Sequence, residues 1–253
     1  MTALLTGSAQ ASKAAADNMV LVPGGDVWIG SNDGSDAEKP QHAVNVPAFF
    51  IDPVPVTNAM FREFVTDTHF VTEAERIGAA WGYANGDYRQ VAALSWRSYA
   101  TTDRDDHPVV LVSWHDAVTY AAWAKKRLPT EIEWEKAARG GLHQKLYPWG
   151  DDAPEGRCNW RRAAADIPPT SDVRAFEANS YGLYDVVGNV WQWCSDAFVA
   201  SYSPSSEAAP GLRSRRGGAW NVIQPFRLRC ANRGAMQPTM AAPNVGFRCA
   251  LSI

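Results

Sequence analysis

The chain has 253 residues, 46% of them hydrophobic and 11 of them tryptophan, so a sizeable core is available and global disorder is excluded. A formal charge of −3 and a pI near 6.0 argue against a general nucleic-acid or anionic-membrane partner. No apolar run approaches the ~20 residues that span a bilayer, and Ala3-Leu4-Leu5 is too short for an export signal, which leaves the cytoplasm as the default location.

No linker, charge block or repeat divides the chain. Residues 1–18 read as a loose lead-in, rich in Ala, Ser and Gln, to one domain over residues 19–253. Met19–Val22 predicts a strand ended by Pro23-Gly24-Gly25, with Asp26–Gly30 as its hairpin partner. Ala43–Ile51 alternates as a further strand, and Thr57 caps a helix through Val65. Residues 78–108 lack periodicity and predict a long loop, of a kind that is usually functional. Val109–Val112 reads as a short buried strand, and Ser113 caps a helix over Trp114–Lys126. Thr130-x-x-Glu133 is a capping box that opens a helix to Arg139, ended by Gly140-Gly141.

Residues 142–216 predict mostly irregular backbone, and so little regular structure calls for another source of rigidity, usually a bound cation. The oxygen-rich turn Asp185–Gln192, with Gly188 for a sharp bend, suits a hard cation. Gly217-Gly218 permits a tight turn, Ala219-Trp220 starts a strand, and Phe226–Cys230 and Val245–Leu251 alternate as the last two. Polar loop residues between these strands predict a cleft lined by Trp191, Trp220, Asn221, Arg227 and Arg233, aromatic-walled with a few convergent donors. Cys158, Cys194, Cys230 and Cys249 show no C-x-x-C spacing, and the five histidines are scattered, so neither set reads as a metal centre.

Several long words sit in one order: Met19-Val20-Leu21-Val22-Pro23-Gly24-Gly25, Arg127-Leu128-Pro129-Thr130-Glu131, Tyr147-Pro148-Trp149-Gly150, and Gly182-Leu183-Tyr184-Asp185 running on to Trp191. Arg216-Gly217-Gly218-x-Trp220, Arg227-x-Arg229-x-Ala231-x-Arg233 and Asn244-x-Gly246-Phe247-Arg248-Cys249 complete the series. Over residues 19–251 the chain resembles the formylglycine-generating enzyme, or sulfatase-modifying factor, family. The resemblance implies an α+β fold with extensive irregular structure, the formylglycine-generating-enzyme variant of the C-type-lectin-like fold, with two helices on a small twisted antiparallel sheet. It implies structural Ca²⁺ on Asp185, Gly188, Val190 and Gln192, and a second calcium site on Asn159, Trp160 and Asp166.

The same resemblance marks a departure. Ala219 stands where the family's enzymes carry Ser, Val222 where they carry the first copper-binding Cys, and the segment of the second Cys is shortened around Pro225 to Arg227. Copper(I) needs soft thiolates, so neither copper nor Cys-to-formylglycine oxidation is expected, and a redox metal stays unidentified. Two readings remain. One is an oxidoreductase-like paralogue acting on a peptide or peptide-derived small molecule, resembling the pyoverdine-maturation branch. The other is a non-catalytic ligand- or protein-binding module that uses the C-terminal loops. The oligomeric state is open under both.

Overall fold

A computed structural model describes residues 16–163 and 169–253. In chain order the strands are β1 (Val20–Val22), β2 (Gly25–Ile29), β3 (His42–Val46) and β4 (Phe49–Ile51). Helices α1 (Asn58–Thr68) and α2 (Glu73–Ile77) precede β5 (Ala79–Ala84) and β6 (Asp87–Ala92). Then come α3 (Trp114–Trp123), α4 (Glu131–Arg139), β7 (Trp191–Val199) and β8 (Ala208–Arg216). β9 (Arg233–Met236), β10 (Val245–Gly246) and β11 (Ala250–Ser252) close the chain. This is the mixed α+β architecture with much irregular backbone that the sequence implies.

The helix ends follow their caps. Thr57 accepts from the Met60 amide at the start of α1. Thr130 and Glu133 exchange bonds of 3.1 and 2.8 Å at the start of α4, which ends on Gly140 in the left-handed region. Each such cap is worth about 1 kcal/mol. Behind the caps, Phe61 of α1 meets Phe247 and Tyr120 of α3, Phe64 meets Tyr120, and Tyr120 meets Phe247, with ring centres 5.3–6.5 Å apart.

The strands depart from the sequence reading in several places, among them the hairpin β5–β6 within residues 78–108 and the absence of a strand at Ala219-Trp220. β1 does not pair with β2; it lies antiparallel to β4, whose other edge takes β11, while β2 pairs with β3. Pro47 splits Ala43–Ile51 into β3 and β4, and a Cβ on Gly24 would stand 3.0 Å from the Ala48 amide. The two breaks therefore cross closely, and the chain changes sheets there. Val109–Val112 is buried but belongs to no strand: the Val109 amide bonds to Val56 and the Leu111 amide to Ala242, with Leu111 left-handed at φ 61°. Phe226–Cys230 is not a strand either, because Pro225 opens a short 3₁₀ turn over Pro225–Leu228.

The principal sheet runs β10-β7-β8-β9, with β10 parallel to β7 and the other pairs antiparallel. Its central strands fall in the stretch read as irregular. β7 opens with four consecutive buried residues, so no alternation marks it. No helix among the described residues is long and apolar enough to cross a membrane.

Helix α4 lies against β8 and delivers two carboxylates one turn apart to it. Glu131 bonds to Arg233 at 2.6 and 2.8 Å and to Ser214 at 2.9 Å. Glu135 bonds to Arg139 at 2.6 Å, to the Gly30 amide at 2.9 Å, and to Arg216. Burial pushes the Glu131 carboxyl up, but the Arg233 hydrogen bond and the Arg216 charge outweigh it and hold the group below the usual range. Removing one member of such a buried set leaves the others uncompensated, at about 3–5 kcal/mol. Glu135→Gln is therefore expected to lower the thermal midpoint by about 6–20 °C, at about 2–4 °C per kcal/mol for a chain of this size. A midpoint within a few degrees of the wild type would show that the network is not needed for stability.

Candidate functional site

Strand alternation sorts the arginines of β8. Ser214 and Arg216 face α4, whereas Arg213 and Arg215 face the other side, over Trp114 at 4.0 Å and Trp191 at 4.8 Å. Arg215 opens into a cleft of about 670 Å³ between the β5–β6 hairpin and the loops before and after β9. The hairpin turns at Asn85-Gly86, both left-handed. It presents Trp81, Tyr83 and Tyr88 to the cleft, with Trp81 and Tyr88 stacked at 5.5 Å. On the other wall Asn244 donates to Asn221 at 3.0 Å, and Asn221 donates to the Tyr83 hydroxyl at 3.4 Å. Met236, Met240 and Gln237 complete this wall.

Only part of the expected lining is in place. Asn221 lines the cleft, whereas Trp191, 3% exposed, lies beneath the Arg215 guanidinium and outside the lining. Trp220 is fully buried and donates to the Pro243 carbonyl at 3.1 Å, so it is a core residue and not a wall. Arg233 is 7% exposed and held by Glu131, so its fork is unavailable to a ligand. Arg227 is exposed outside the lining, over the Phe226 ring. The glycine pair explains the displacement. Gly217 and Gly218 are both left-handed, and a Cβ on either would meet a carbonyl at 2.8 Å, so the following residues turn straight into the core. The residues missed were Trp81, Tyr83, Tyr88 and Arg215. Asn85-Gly86 between alternating aromatics was the signal for the hairpin.

The turn at Asp185–Gln192 is built around an internal cation. Arg248 bonds to the Gln192 Oε1 at 2.7 Å and to the carbonyls of Asp52, Pro53, Tyr184 and Asp185 at 2.6–3.3 Å. Gln192 Oε1 also accepts from Trp134 Nε1 at 2.9 Å, so two obligate donors fix that atom as oxygen, and Gln192 Nε2 donates to the Asp185 carbonyl at 2.7 Å. A divalent ion does not fit at Gln192, because its oxygen is taken and a guanidinium stands beside it. Gly188 makes the bend, left-handed and 2.7 Å from the Asn159 carbonyl at its would-be Cβ, while Val190 is fully buried. At the second site the Asn159 amide group donates to the Pro169 carbonyl and to Asn189, its oxygen accepts from Arg162, and Trp160 is buried. Asp166 lies outside the described residues.

The four thiols are unpaired and buried, and burial pushes each upward, Cys158 and Cys230 to about 12. Ala219 and Val222 are buried too. No group of three His, Cys, Asp or Glu suited to a metal ion occurs among the described residues.

Comparison with known proteins places this geometry. Residues 6–253 match the model of the sulfatase-modifying factor enzyme 1-like domain. The formylglycine-generating enzyme of Thermomonospora curvata is 38% identical, over 93% of this chain and 93% of its own. The inactive C-alpha-formylglycine-generating enzyme 2 of Bos taurus is also 38% identical, over 92% of this chain and 87% of its own. The structure of PvdO from Pseudomonas aeruginosa superposes with a TM-score of 0.74 at 27% identity, covering 93% of this chain and 94% of that one.

Asp185 provides a test of the turn. Burial pushes its carboxyl from 3.8 up to about 6, with Asn189 and Arg248 pulling weakly the other way. Between those values the native state binds the proton and the unfolded state does not, so stability falls as pH rises through the window, by about 2–3 kcal/mol in all. Asp185→Asn is expected to raise the midpoint above pH 7, with the advantage closing below about pH 4. EDTA is expected to leave the wild-type midpoint unchanged. A midpoint lowered by both the substitution and the chelator would instead mean that a cation holds the carboxylate ionised.

Proposed function

Because the chain belongs to the sulfatase-modifying factor, or formylglycine-generating enzyme, family, we propose that it is a paralogue specialised for recognition. It binds a peptide or peptide-derived small molecule in the cleft between the β5–β6 hairpin and the C-terminal loops, and does not oxidise cysteine to formylglycine. The observation that carries this reading is the chemistry of the lining. Aromatic rings, side-chain amides and one guanidinium converge on the cleft, whereas Val222 and Ala219 are buried where the family's enzymes place a thiol and a hydroxyl. A guanidinium that donates to the Met236 sulfur also repels a copper ion that the two thioethers could otherwise attract. The same lining suits amide-rich, partly aromatic ligands, which stack on rings and exchange hydrogen bonds with Asn and Gln.

A second reading, an oxidoreductase acting on the same class of molecule, is favoured by the whole-length likeness to active enzymes. A metal inventory separates the two: a redox metal at stoichiometric occupancy in the purified protein supports the enzyme.

Supplied with copper, oxygen and a cysteine-containing peptide, the protein is expected to leave the thiol unchanged under conditions in which the T. curvata relative converts it. Formation of an aldehyde peptide, followed by mass spectrometry, overturns the proposal. Trp81→Ala is expected to weaken the binding of aromatic dipeptide amides about tenfold with little change in thermal midpoint, through loss of the stacking wall.

A further inference from the structure

Resting on this recognition reading, we infer that Arg215 is a carboxylate anchor, and that the cleft takes an aromatic carboxylate of the kind carried by a peptide ending in an aromatic residue. The other buried arginines around the cleft each meet an acid or several oxygens, although Arg216 Nε, like that of Arg215, is buried without a partner. Arg216 meets Glu135, Arg233 meets Glu131, Arg229 Nη2 donates to both Glu38 oxygens at 2.8 and 2.9 Å, and Arg248 has five oxygen partners. Arg215 alone in this group is left with a sulfur, Met236 Sδ at 3.5 Å, and the face of Trp191. Its Nε is buried without a hydrogen-bond partner. The charges that act on it are those of Tyr88 and Arg227, with no carboxylate among them, and burial pushes its pKa down to about 10.

A guanidinium that is only partly exposed and has no counter-ion carries an unmet electrostatic demand. Its planar fork matches one ligand group best, a carboxylate bound through two parallel N–H bonds. The rest of the cleft fixes what the carboxylate is attached to. Trp81 and Tyr88 are stacked on the hairpin wall, with Tyr83 tilted against Tyr88 at 5.1 Å, and a flat group can lie against them. The Asn221–Asn244 amide pair stands on the opposite wall, where a ligand amide can bond. Anchor, ring wall and amide pair together describe a short aromatic residue with a free carboxylate.

The probes are N-acetyl-L-phenylalanine and its neutral amide, N-acetyl-L-phenylalaninamide, titrated calorimetrically against the full chain. The acid is expected to bind about tenfold more tightly than the amide. Arg215→Met, which keeps a side chain able to pack on Trp191, is expected to abolish that preference while leaving the thermal midpoint close to wild type. Arg215→Lys, which keeps the charge and loses the fork, is expected to retain only part of the preference. Equal binding of acid and amide, both weakened by Trp81→Ala, overturns the anchor and leaves the recognition reading standing. An acid preference that survives Arg215→Met also overturns the anchor. Failure of both probes to bind at about 10 mM overturns the anchor and the recognition reading together. A third probe, 3-phenylpropanoate, lacks the amide: weaker Arg215-dependent binding than the N-acetyl acid marks a peptide terminus, and equal binding marks a plain aryl acid, the anchor holding in both cases.

Discussion

The two carboxylates of α4 against the arginines of the principal sheet are the constraint on which the remaining geometry hangs. Glu131 and Glu135 lie one helical turn apart and therefore on one face. They meet Ser214, Arg216 and Arg233 across β8 and β9, and Arg139 on the helix itself. Two hydrophobic layers could slide over each other at small cost, but buried ions cannot be moved without leaving a charge unpaired. The phase of β8 is thus set: Arg216 must point at the helix, and Arg215 must point away from it. The structural network and the candidate site are consecutive residues of one strand, and neither can shift alone.

The same logic separates the scaffold from the groups that it displays. The scaffold that aims side chains at the cleft depends on α4, on the paired glycines and on the turn gripped by Arg248. Ala219 and Val222 pack into the core, and the cleft surface is formed by the hairpin aromatics and Arg215. The chemistry of such a site can change at little cost in stability, because the residues on display are not the ones that fix the backbone.

What could be read in the sequence were the features with local causes. Thr57, Ser113 and Thr130 each satisfy backbone amides within their own turn, and the helices begin where those residues say. Strand partnership has no such local cause. β1 joins β4 and β11 because Pro47 and the Gly24 crossing redirect the chain, and β10 aligns parallel to β7 from more than fifty residues away. The expected binding residues Trp220 and Arg233 illustrate the same limit. Their types suit ligands and cores equally, and only the helix face opposite Arg233 and the carbonyl beneath Trp220 decide between the two. Arg215 looked like its neighbours in Arg213-Ser214-Arg215-Arg216, yet Arg216 meets Glu135 and Arg213 meets the Ser195 carbonyl, whereas Arg215 is left with a sulfur.

The three-stranded sheet has a topological consequence. β4 is flanked on one edge by the first strand among the described residues and on the other by the last, so Val20 and Ala250 both stand opposite Ile51. Strands in register on either side of a common partner lie about 10 Å apart, twice the spacing of a single ladder. The polypeptide thus enters and leaves the domain at nearly one point. A body with such a doorway can be spliced into a surface loop of another protein, or have its ends joined and be reopened elsewhere, without disturbing the cleft.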